Sequence, residues 1–438
     1  YLHKLDSEII DEYFFNQANT FIFSIIVGLV DKVLFLDNTL VVARIISATS
    51  YLFFGFGFIK IFRYYKIEFS NSFFLLYFFL NPLIWTYGFR GIPDLFATSL
   101  SFYLFSNFLF LKNKKNIKNY LNFILFGLCI SIKPFCAIYL ALIFLIEFNK
   151  DYFLVIKKYF QLFILSSLVP VIYFILIKIN FGFYLIPDEF ANQLRFLKGG
   201  FIKNFFGYLI LLSIFTFPLF FKTKFINLKN FFVITFILFP LSFYLNFLTN
   251  SPSAELNLGF LNLIIGDELV FFVGAISLYT LFLYLHENIF YQNKNKNNYK
   301  FLLIVFFYII ALSLTRSSQR YLITIIPIFM IFFLLNENYL KKNFFFKLTI
   351  FSYILMNILI FTNFYLNSSI NREVIQFLDE KKILKKTLPG PLYPHSYHFF
   401  NSKNKKEYII SSNSNNSIKT FKKKFFIFEK KFFLKKLN

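Results

Sequence analysis

Long apolar runs are the feature that most limits how this chain can fold. Runs of about 20 residues recur along most of the 438-residue sequence, and about 20 helical residues cross a hydrocarbon layer about 30 Å thick. The chain is 57% hydrophobic, which is more than a soluble domain of this length can bury. Because the runs are continuous rather than alternating, they predict helices and not barrel strands. The sequence therefore predicts an all-α integral membrane protein.

Several apolar runs are candidates for crossing the membrane. The run at 121–147 carries Lys133-Pro134 at its centre, where a charged residue is costly and a proline breaks the helix. We interpret this run as two short helices that meet near the outer face, which brings the expected total to about 12 transmembrane helices. The runs lie approximately at 39–62, 69–89, 93–111, 121–147, 160–180, 204–221, 230–249, 269–286, 301–315, 321–336 and 346–366.

The runs divide the chain into three regions. Residues 1–38 are mixed in character, and we expect them to form a first extracytoplasmic loop with interfacial helices. Residues 39–366 are expected to form the polytopic transmembrane domain. Residues 367–438 are polar and rich in lysine, and are expected to be an extracytoplasmic tail or small domain. Alternating Phe and Lys at 420–436 are typical of strands or of a membrane-surface segment, and both alternatives stay open.

The formal net charge of +24 does not indicate nucleic-acid binding in this chain. Lysine clusters lie between the apolar runs, as they do in the cytoplasmic loops that set orientation. If 121–147 is a hairpin, all these loops fall on one side of the membrane, at 63–66, 112–118, 149–158, 222–229, 293–300 and 341–342. The other side then carries Asp11-Glu12, Asp188-Glu189 and Asp267-Glu268, and is expected to be extracytoplasmic.

Several kinds of site are disfavoured by the sequence. Cys129 and Cys136 lie in one apolar run, which excludes a disulfide framework and makes a metal site on them improbable. The histidines show no ligand spacing on a clear helix. Glycine-rich phosphate loops are absent from the sequence, and 14 glycines are too few for a fold that cradles a nucleotide.

Three acidic residues are candidates for catalysis. Asp11 and Glu12 lie in a polar segment before an interfacial stretch, where a carboxylate can accept a proton or bind a divalent cation. Asp94 follows Pro93, a residue that suits the first turn of a helix, so Asp94 is expected near a helix N-terminus. The alternatives are simple solvation for the first pair and stabilisation by the helix dipole for Asp94.

Basic residues on the acidic side are candidates for binding an anion. Arginine is rare in this lysine-rich chain, yet Arg44, Arg90, Arg195, Arg316 and Arg320 all fall on the side that the positive-inside rule would deplete. Bidentate phosphate binding is a physical reason to place Arg there, and pairing with carboxylates or lipid headgroups is the alternative.

Lys133 is a further candidate for anion binding because it lies inside an apolar run. An ionisable residue at membrane depth is a functional hypothesis by default. Snorkelling of its side chain to the interface is the alternative.

The order of these features resembles the GT-C glycosyltransferases, most closely those of the protein O-mannosyltransferase and aminoarabinose-transferase type. The segments that carry the resemblance are IIDEYFFNQANTF (9–21), VVARIISATSYLFFGFGF (41–58), NPLIWTYGFRGIPDLFATSLSFYL (81–104), GLCISIKPFCAIYL (127–140) and SQRYLITIIPIF (318–329). Family members have a membrane helix before the acidic loop. Either such a helix precedes Tyr1 in a longer sequence, or the acidic loop is placed differently here.

The resemblance implies a glycosyltransferase that moves a sugar from a polyprenyl-phosphate carrier to a lipid, glycan or protein acceptor, in a bacterial inner (cell) membrane. It implies that Asp11 activates the acceptor or binds a metal, that Glu12 assists, and that Asp94 is the second acidic residue. The carrier phosphate would be held by Arg90, Lys133, Arg316 and Arg320. No cofactor beyond a possible divalent cation is implied.

Two other functions compete with glycosyl transfer. A surface-polysaccharide polymerase is also polytopic and uses outer arginines, but typically has one long outer loop. A lipid-carrier flippase or transporter would be expected to show internal repeats and polar residues along its spans.

Overall fold

A computed structural model describes most of the helical chain and part of the C-terminal region. It covers residues 21–35, 39–67, 73–88, 91–111, 117–147, 152–181, 201–216, 236, 267–286, 298–314, 319–336, 344–388, 406–425 and 428–437. Four described helices are long and apolar enough to cross a membrane, at Val41–Tyr65, Pro93–Leu111, Phe160–Ile179 and Ile350–Glu380. Shorter apolar helices accompany them. The described residues are therefore mostly helical and include helices that can cross a membrane, in agreement with the prediction of a helical membrane protein. The described helices do not establish the expected total of about 12 spans.

The helices are numbered here in chain order over the described residues. They are α1 Phe21–Leu34, α2 Thr39–Tyr65, α3 Phe73–Phe79, α4 Pro82–Gly88, α5 Pro93–Leu111, α6 Ile117–Ile132, α7 Ala137–Glu147, α8 Tyr152–Phe181, α9 Phe201–Thr216, α10 Asp267–His286, α11 Asn298–Ser313, α12 Ile326–Asn336 and α13 Phe344–Glu380. Short 3-10 helices occupy Pro134–Cys136, Gln319–Thr324 and Leu384–Lys386. The chain divides into two compact units, Tyr1–Ile354 and Leu355–Asn438.

The break predicted at Lys133-Pro134 is present between α6 and α7. Lys133 has extended backbone dihedrals, as expected for a residue that precedes proline. The two helices fold back on each other, because Phe123 near the start of α6 and Phe144 near the end of α7 both pack against Phe163 of α8. The predicted hairpin is therefore confirmed.

The apolar run at 69–89 differs from the expectation of one continuous helix. The structure divides it into α3 and α4 at Asn81, directly before Pro82. The Asn81 side chain accepts a hydrogen bond from Leu83 N at 3.0 Å and donates one to Phe215 O of α9 at 2.9 Å. These bonds satisfy polar groups that a helix break would otherwise leave unpaired in an apolar environment.

Helix α13 passes through the boundary that hydropathy indicates at 366. It continues to Glu380, although the sequence from 367 is polar. Leu366, Ile370, Val374 and Leu378 follow one another at four-residue spacing and are all buried. This spacing places them on one face of the helix, so the polar segment is an amphipathic continuation of α13.

The C-terminal region adds a four-stranded sheet, so the chain as a whole is not all-α. The strands are β1 Thr387–Leu388, β2 Tyr408–Ser411, β3 Ser417–Phe425 and β4 Phe428–Lys436, in the order β1-β2-β4-β3. β1 and β2 are parallel, and β4 is antiparallel to both β2 and β3. Ile410, Phe421, Phe432 and Leu434 form a core with α13. Of the two alternatives for the Phe and Lys alternation, strands are confirmed.

Two sequence regions are only partly described. In the first region, 1–38, the structure shows α1, which includes the charged residues Asp31 and Lys32. The run at 230–249 lies outside the described residues, apart from residue 236. That this run crosses the membrane therefore stays a prediction.

Gly127 allows α6 and α8 to approach closely. A Cβ atom at Gly127 would lie 2.5 Å from the backbone oxygen of Ser166 and 3.1 Å from Val169 Cβ. We expect Gly127→Ala to lower the free energy of unfolding by about 1–3 kcal/mol, because the helices must separate. Thermal unfolding in detergent measures this change.

Gly55→Ala is the matched control for Gly127→Ala. The added Cβ would meet only Phe79 Cζ, at 3.8 Å, which is ordinary contact. Its stability is expected to equal or slightly exceed that of the wild type, since alanine favours the helix. Equal stability of the two variants would contradict the close approach.

Candidate functional site

The two ends of the helical bundle differ in their polar contacts. At one end, Lys60 Nζ of α2 donates to Asn107 Oδ1 of α5 at 2.6 Å, and Asn107 donates to Asn122 Oδ1 of α6 at 3.0 Å. At the same end, Lys300 Nζ of α11 donates to the carbonyl of Ile146 in α7 at 3.1 Å, and Phe301 packs near Tyr65 of α2. We call this the Lys60 end. The candidate site lies at the other end of α5.

Asp94 lies in the first turn of α5, as the sequence predicts from Pro93. The preceding turn is pressed against α2, because a Cβ at Gly91 would lie 3.1 Å from Ala43 Cβ. Gly91 also has a φ of 67°, which favours glycine. Ser47 Oγ of α2 donates to Ile92 O at 3.3 Å. These contacts fix where α5 begins and therefore where the Asp94 carboxylate lies.

Lys133 reaches Asp94 from the turn of the α6–α7 hairpin. Its Nζ lies 3.4 Å from Asp94 Oδ1, and each of the two side chains is only 7% exposed. The Lys133 backbone N–H donates to Cys129 O at 2.8 Å, and its carbonyl accepts from Cys136 N at 2.9 Å. The hairpin turn thus holds the lysine backbone while the side chain points to the carboxylate.

Arg320 approaches the same carboxylate oxygen from the 3-10 helix Gln319–Thr324. Its Nε lies 3.9 Å from Asp94 Oδ1, the side chain is 20% exposed, and the guanidinium lies 5.4 Å from the centre of the Tyr321 ring. The structure therefore brings three of the predicted site residues together. They come from three separate parts of the chain.

Hydroxyl groups hold the 3-10 helix in place. Tyr139 of α7 donates to Thr324 O at 2.9 Å, and Tyr308 of α11 donates to Tyr321 O at 3.0 Å. Thr98, one turn after Asp94, lies within 3.4 Å of the Thr324 hydroxyl. Sequence reasoning did not find these residues. Hydroxyl side chains are common in apolar runs. Only the residue that each one contacts in the folded chain shows which of them hold the site together.

The cluster contains two cations and one carboxylate. The carboxylate offsets part of the cost of burying the two cations. Removal of Asp94 would take the carboxylate from both cations, whereas removal of one cation would leave a carboxylate–cation pair. Arg320 is the most exposed of the three groups, and a guanidinium is well suited to present hydrogen-bond donors to an anion. Asp94 Oδ2 is buried and has no hydrogen-bond partner among the described residues.

The described residues offer no metal centre. They contain no group of three or more His, Cys, Asp or Glu side chains that could hold an ion. Cys129 and Cys136 are free thiols and both are buried, in agreement with the prediction that they form no disulfide framework.

The remaining predicted site residues lie outside the described part of the chain. They are Asp11, Glu12, Arg90 and Arg316, so their roles, including a possible metal at Asp11, stay predictions. Arg44 is described and is exposed on α2 beside the turn at Gly91.

Comparisons of the chain with protein-family models, curated proteins and solved structures gave no match. What the site does is therefore inferred from its own residues.

Proposed function

We propose that this protein is a multi-pass glycosyltransferase of the GT-C type, with about 12 transmembrane helices. It would transfer a sugar from a polyprenyl-phosphate carrier to a lipid, glycan or protein acceptor at the extracytoplasmic face of a bacterial inner membrane. The observation that carries the proposal is the meeting of Lys133 and Arg320 at the Asp94 carboxylate.

The position of the cluster supports its assignment to the extracytoplasmic face. The sequence next to the Lys60 end is rich in lysine and arginine, at 63–66, 112–118 and 293–300. Such loops remain in the cytoplasm. Asp94 lies at the opposite end of α5, a 19-residue helix that is about 28 Å long. The three-residue cluster therefore belongs at the other membrane surface.

The charges of the cluster suit the phosphate of a lipid carrier. Arg320 offers a planar fork of donors for two phosphate oxygens, and Lys133 offers a compact charge that is oriented by Asp94. Arg90 and Arg316 are close in sequence to Asp94 and Arg320 respectively, and are assigned to the same phosphate. In this arrangement Asp94 is a positioning residue for the cations.

The proposed reaction is an inverting displacement at the anomeric carbon. The acceptor hydroxyl oxygen forms a bond to that carbon, and its proton passes to Asp11, assisted by Glu12 or by a divalent cation at Asp11. The bond between the anomeric carbon and the phosphate oxygen breaks, and its electron pair leaves with the polyprenyl phosphate. Fixed cations in a water-poor site stabilise the charge that develops on this leaving group.

A reconstitution experiment tests this function. The purified protein in liposomes is given a panel of polyprenyl-phosphate sugars, starting with the mannosyl and aminoarabinosyl carriers, and free polyprenyl phosphate is measured after acceptor addition. We expect release with at least one donor. Arg320→Gln should lower that release about 10²–10³-fold, because one donor to the developing charge is lost. Arg320→Lys keeps the charge and should retain an intermediate rate.

Three broken helices favour a second candidate, a carrier-lipid transporter. The breaks lie at Asn81, at Lys133 and between the 3-10 helix Gln319–Thr324 and α12. Discontinuous helices commonly line the binding sites of transporters. In the same liposomes, a transporter would move a labelled carrier between leaflets without releasing free polyprenyl phosphate. That outcome would replace the transferase proposal.

A further inference from the structure

Within the second unit, the β3–β4 hairpin lies along α13 in a defined register. Phe425 at the end of β3 packs against Tyr365, with ring centres 5.0 Å apart. Further along, Lys423 Nζ lies 2.9 Å from Glu373 Oε2, and Phe421 packs against Phe377. β3 therefore runs antiparallel to the helix. The described strand ends at Phe425 and Phe428, which we call the tip of the hairpin, lie level with Tyr365.

The side chains of α13 change character at the level of this tip. Ile358, Phe361 and Tyr365 are apolar or aromatic and are each about half exposed, as expected for side chains that face lipid. The sequence that follows, at 367–380, is polar apart from the face that packs on the sheet. The exposed apolar surface of α13 therefore ends level with the hairpin tip, which is where such a surface would meet the boundary of a membrane.

The tip carries exposed positive charge. Lys422 and Lys431 are each about half exposed and share one carboxylate, that of Glu429. Lys424 is exposed on the same face of the sheet. Lys430 lies on the face toward the helix and donates to Asn367 Oδ1. The sequence 355–438 contains 16 Lys and Arg against five Asp and Glu, so nearby acids do not neutralise the tip.

We propose that the β3–β4 tip binds the anionic phospholipid headgroups of the leaflet from which α13 emerges. We call Lys422, Lys424 and Lys431 the tip lysines. A lysine at the surface of an anionic membrane gains about 1 kcal/mol, or about fivefold in binding. Aromatic side chains at this depth, here Phe425 and Tyr365, are favoured at the membrane interface. The proposal concerns a lipid surface and does not depend on the reaction at Asp94.

Energy transfer in nanodiscs tests the lipid contact with the full chain. A fluorophore is attached at Thr420→Cys, an exposed position on the same strand. The two native cysteines are buried, so labelling is directed to the new exposed thiol. An acceptor dye is placed on lipid headgroups. We expect higher transfer in discs of phosphatidylcholine with one third phosphatidylglycerol than in pure phosphatidylcholine, and a decrease of this difference with added salt.

Two triple substitutions distinguish the role of the tip lysines from the effect of the net charge of the C-terminal region. Replacing Lys422, Lys424 and Lys431 with Gln should weaken docking on the anionic discs about 100-fold, the product of three fivefold losses. Lys381, Lys382 and Lys385 are exposed beyond the far end of α13, and their change to Gln removes the same charge but should leave the transfer unaltered.

Clear outcomes overturn the proposal. Equal transfer in the two disc types, or an equal loss in the tip and control triple variants, would show that the tip recognises no anionic lipid. Thermal unfolding of each variant shows whether the hairpin is still folded. We expect little change, because exposed ion pairs contribute only about 0–1 kcal/mol to stability. If the triple variant unfolds, each lysine is replaced singly, and the absence of any fivefold step would also overturn the proposal.

Discussion

Replacing Asp94 with leucine is expected to lower the free energy of unfolding by about 3 kcal/mol, at the lower end of the range for breaking a buried ion pair. The substitution leaves Lys133 with its ammonium group almost fully buried beside an apolar side chain. Arg320 is partly exposed and can turn toward water at smaller cost. Most of the loss therefore comes from the lysine.

A compensating substitution tests this explanation. Lys133→Met in the Asp94→Leu background removes the buried ammonium group that has lost the Asp94 carboxylate. The double variant should recover most of the lost stability, since replacement of a buried ion pair by apolar side chains is often tolerated. Lys133→Met alone leaves Asp94 with Arg320 and should destabilise less than Asp94→Leu.

Buried thiols provide the measurement for the Asp94 variants. Cys129 and Cys136 are inaccessible in the folded chain, so a thiol-reactive dye reports unfolding on heating in detergent. Wild-type stability of Asp94→Leu, or no recovery in the double variant, would show that the three charges are not coupled as the distances indicate.

Replacing Asp11 with asparagine is expected to remove sugar transfer almost completely. An amide of the same size cannot accept the proton of an acceptor hydroxyl, and without the negative charge it binds a divalent cation more weakly than a carboxylate does. General-base catalysis contributes about 10²–10⁴-fold, so the rate should fall by at least that factor, while membrane insertion and thermal stability stay unchanged. The measurement is release of free polyprenyl phosphate in the liposome assay.

Two neighbouring acids serve as controls for Asp11→Asn. Asp6→Asn removes the same charge from the same polar segment and should leave transfer unchanged. Glu12→Gln should give a smaller loss than Asp11→Asn, as expected for an assisting group. Full activity of Asp11→Asn would remove Asp11 as the base, and a loss equal to that of Asp6→Asn would indicate a general charge effect.

Local sequence signals predict those parts of the fold that depend on one or two residues. Pro93 predicts the start of α5, and Lys133-Pro134 predicts the hairpin turn, because proline acts on its own backbone and on its neighbour. The alternation of Phe and Lys at 420–436 allows strands or a membrane-surface segment, and the structure contains strands at Ser417–Phe425 and Phe428–Lys436.

Features that depend on tertiary partners were less accessible from the sequence. The break at Asn81 was missed because apolar residues surround it, and its stability depends on a carbonyl in α9. The continuation of α13 was missed because average hydropathy hides the four-residue spacing of Ile370, Val374 and Leu378. Arg320 lies at Asp94 because the 3-10 helix Gln319–Thr324 packs against α5. No local sequence pattern predicts this packing.

The turn at Lys133 has a consequence for the rest of the chain. If α6 and α7 formed one uninterrupted rod from Ile117 to Glu147, it would be about 46 Å long. In the proposed multi-pass topology, every later segment would then emerge from the opposite leaflet. In that topology, the single peptide bond before Pro134 decides on which side of the membrane each later loop lies. Exchange of Pro134 for a helix-forming residue is therefore expected to affect the side on which more than half of the chain lies, and not only the local bend.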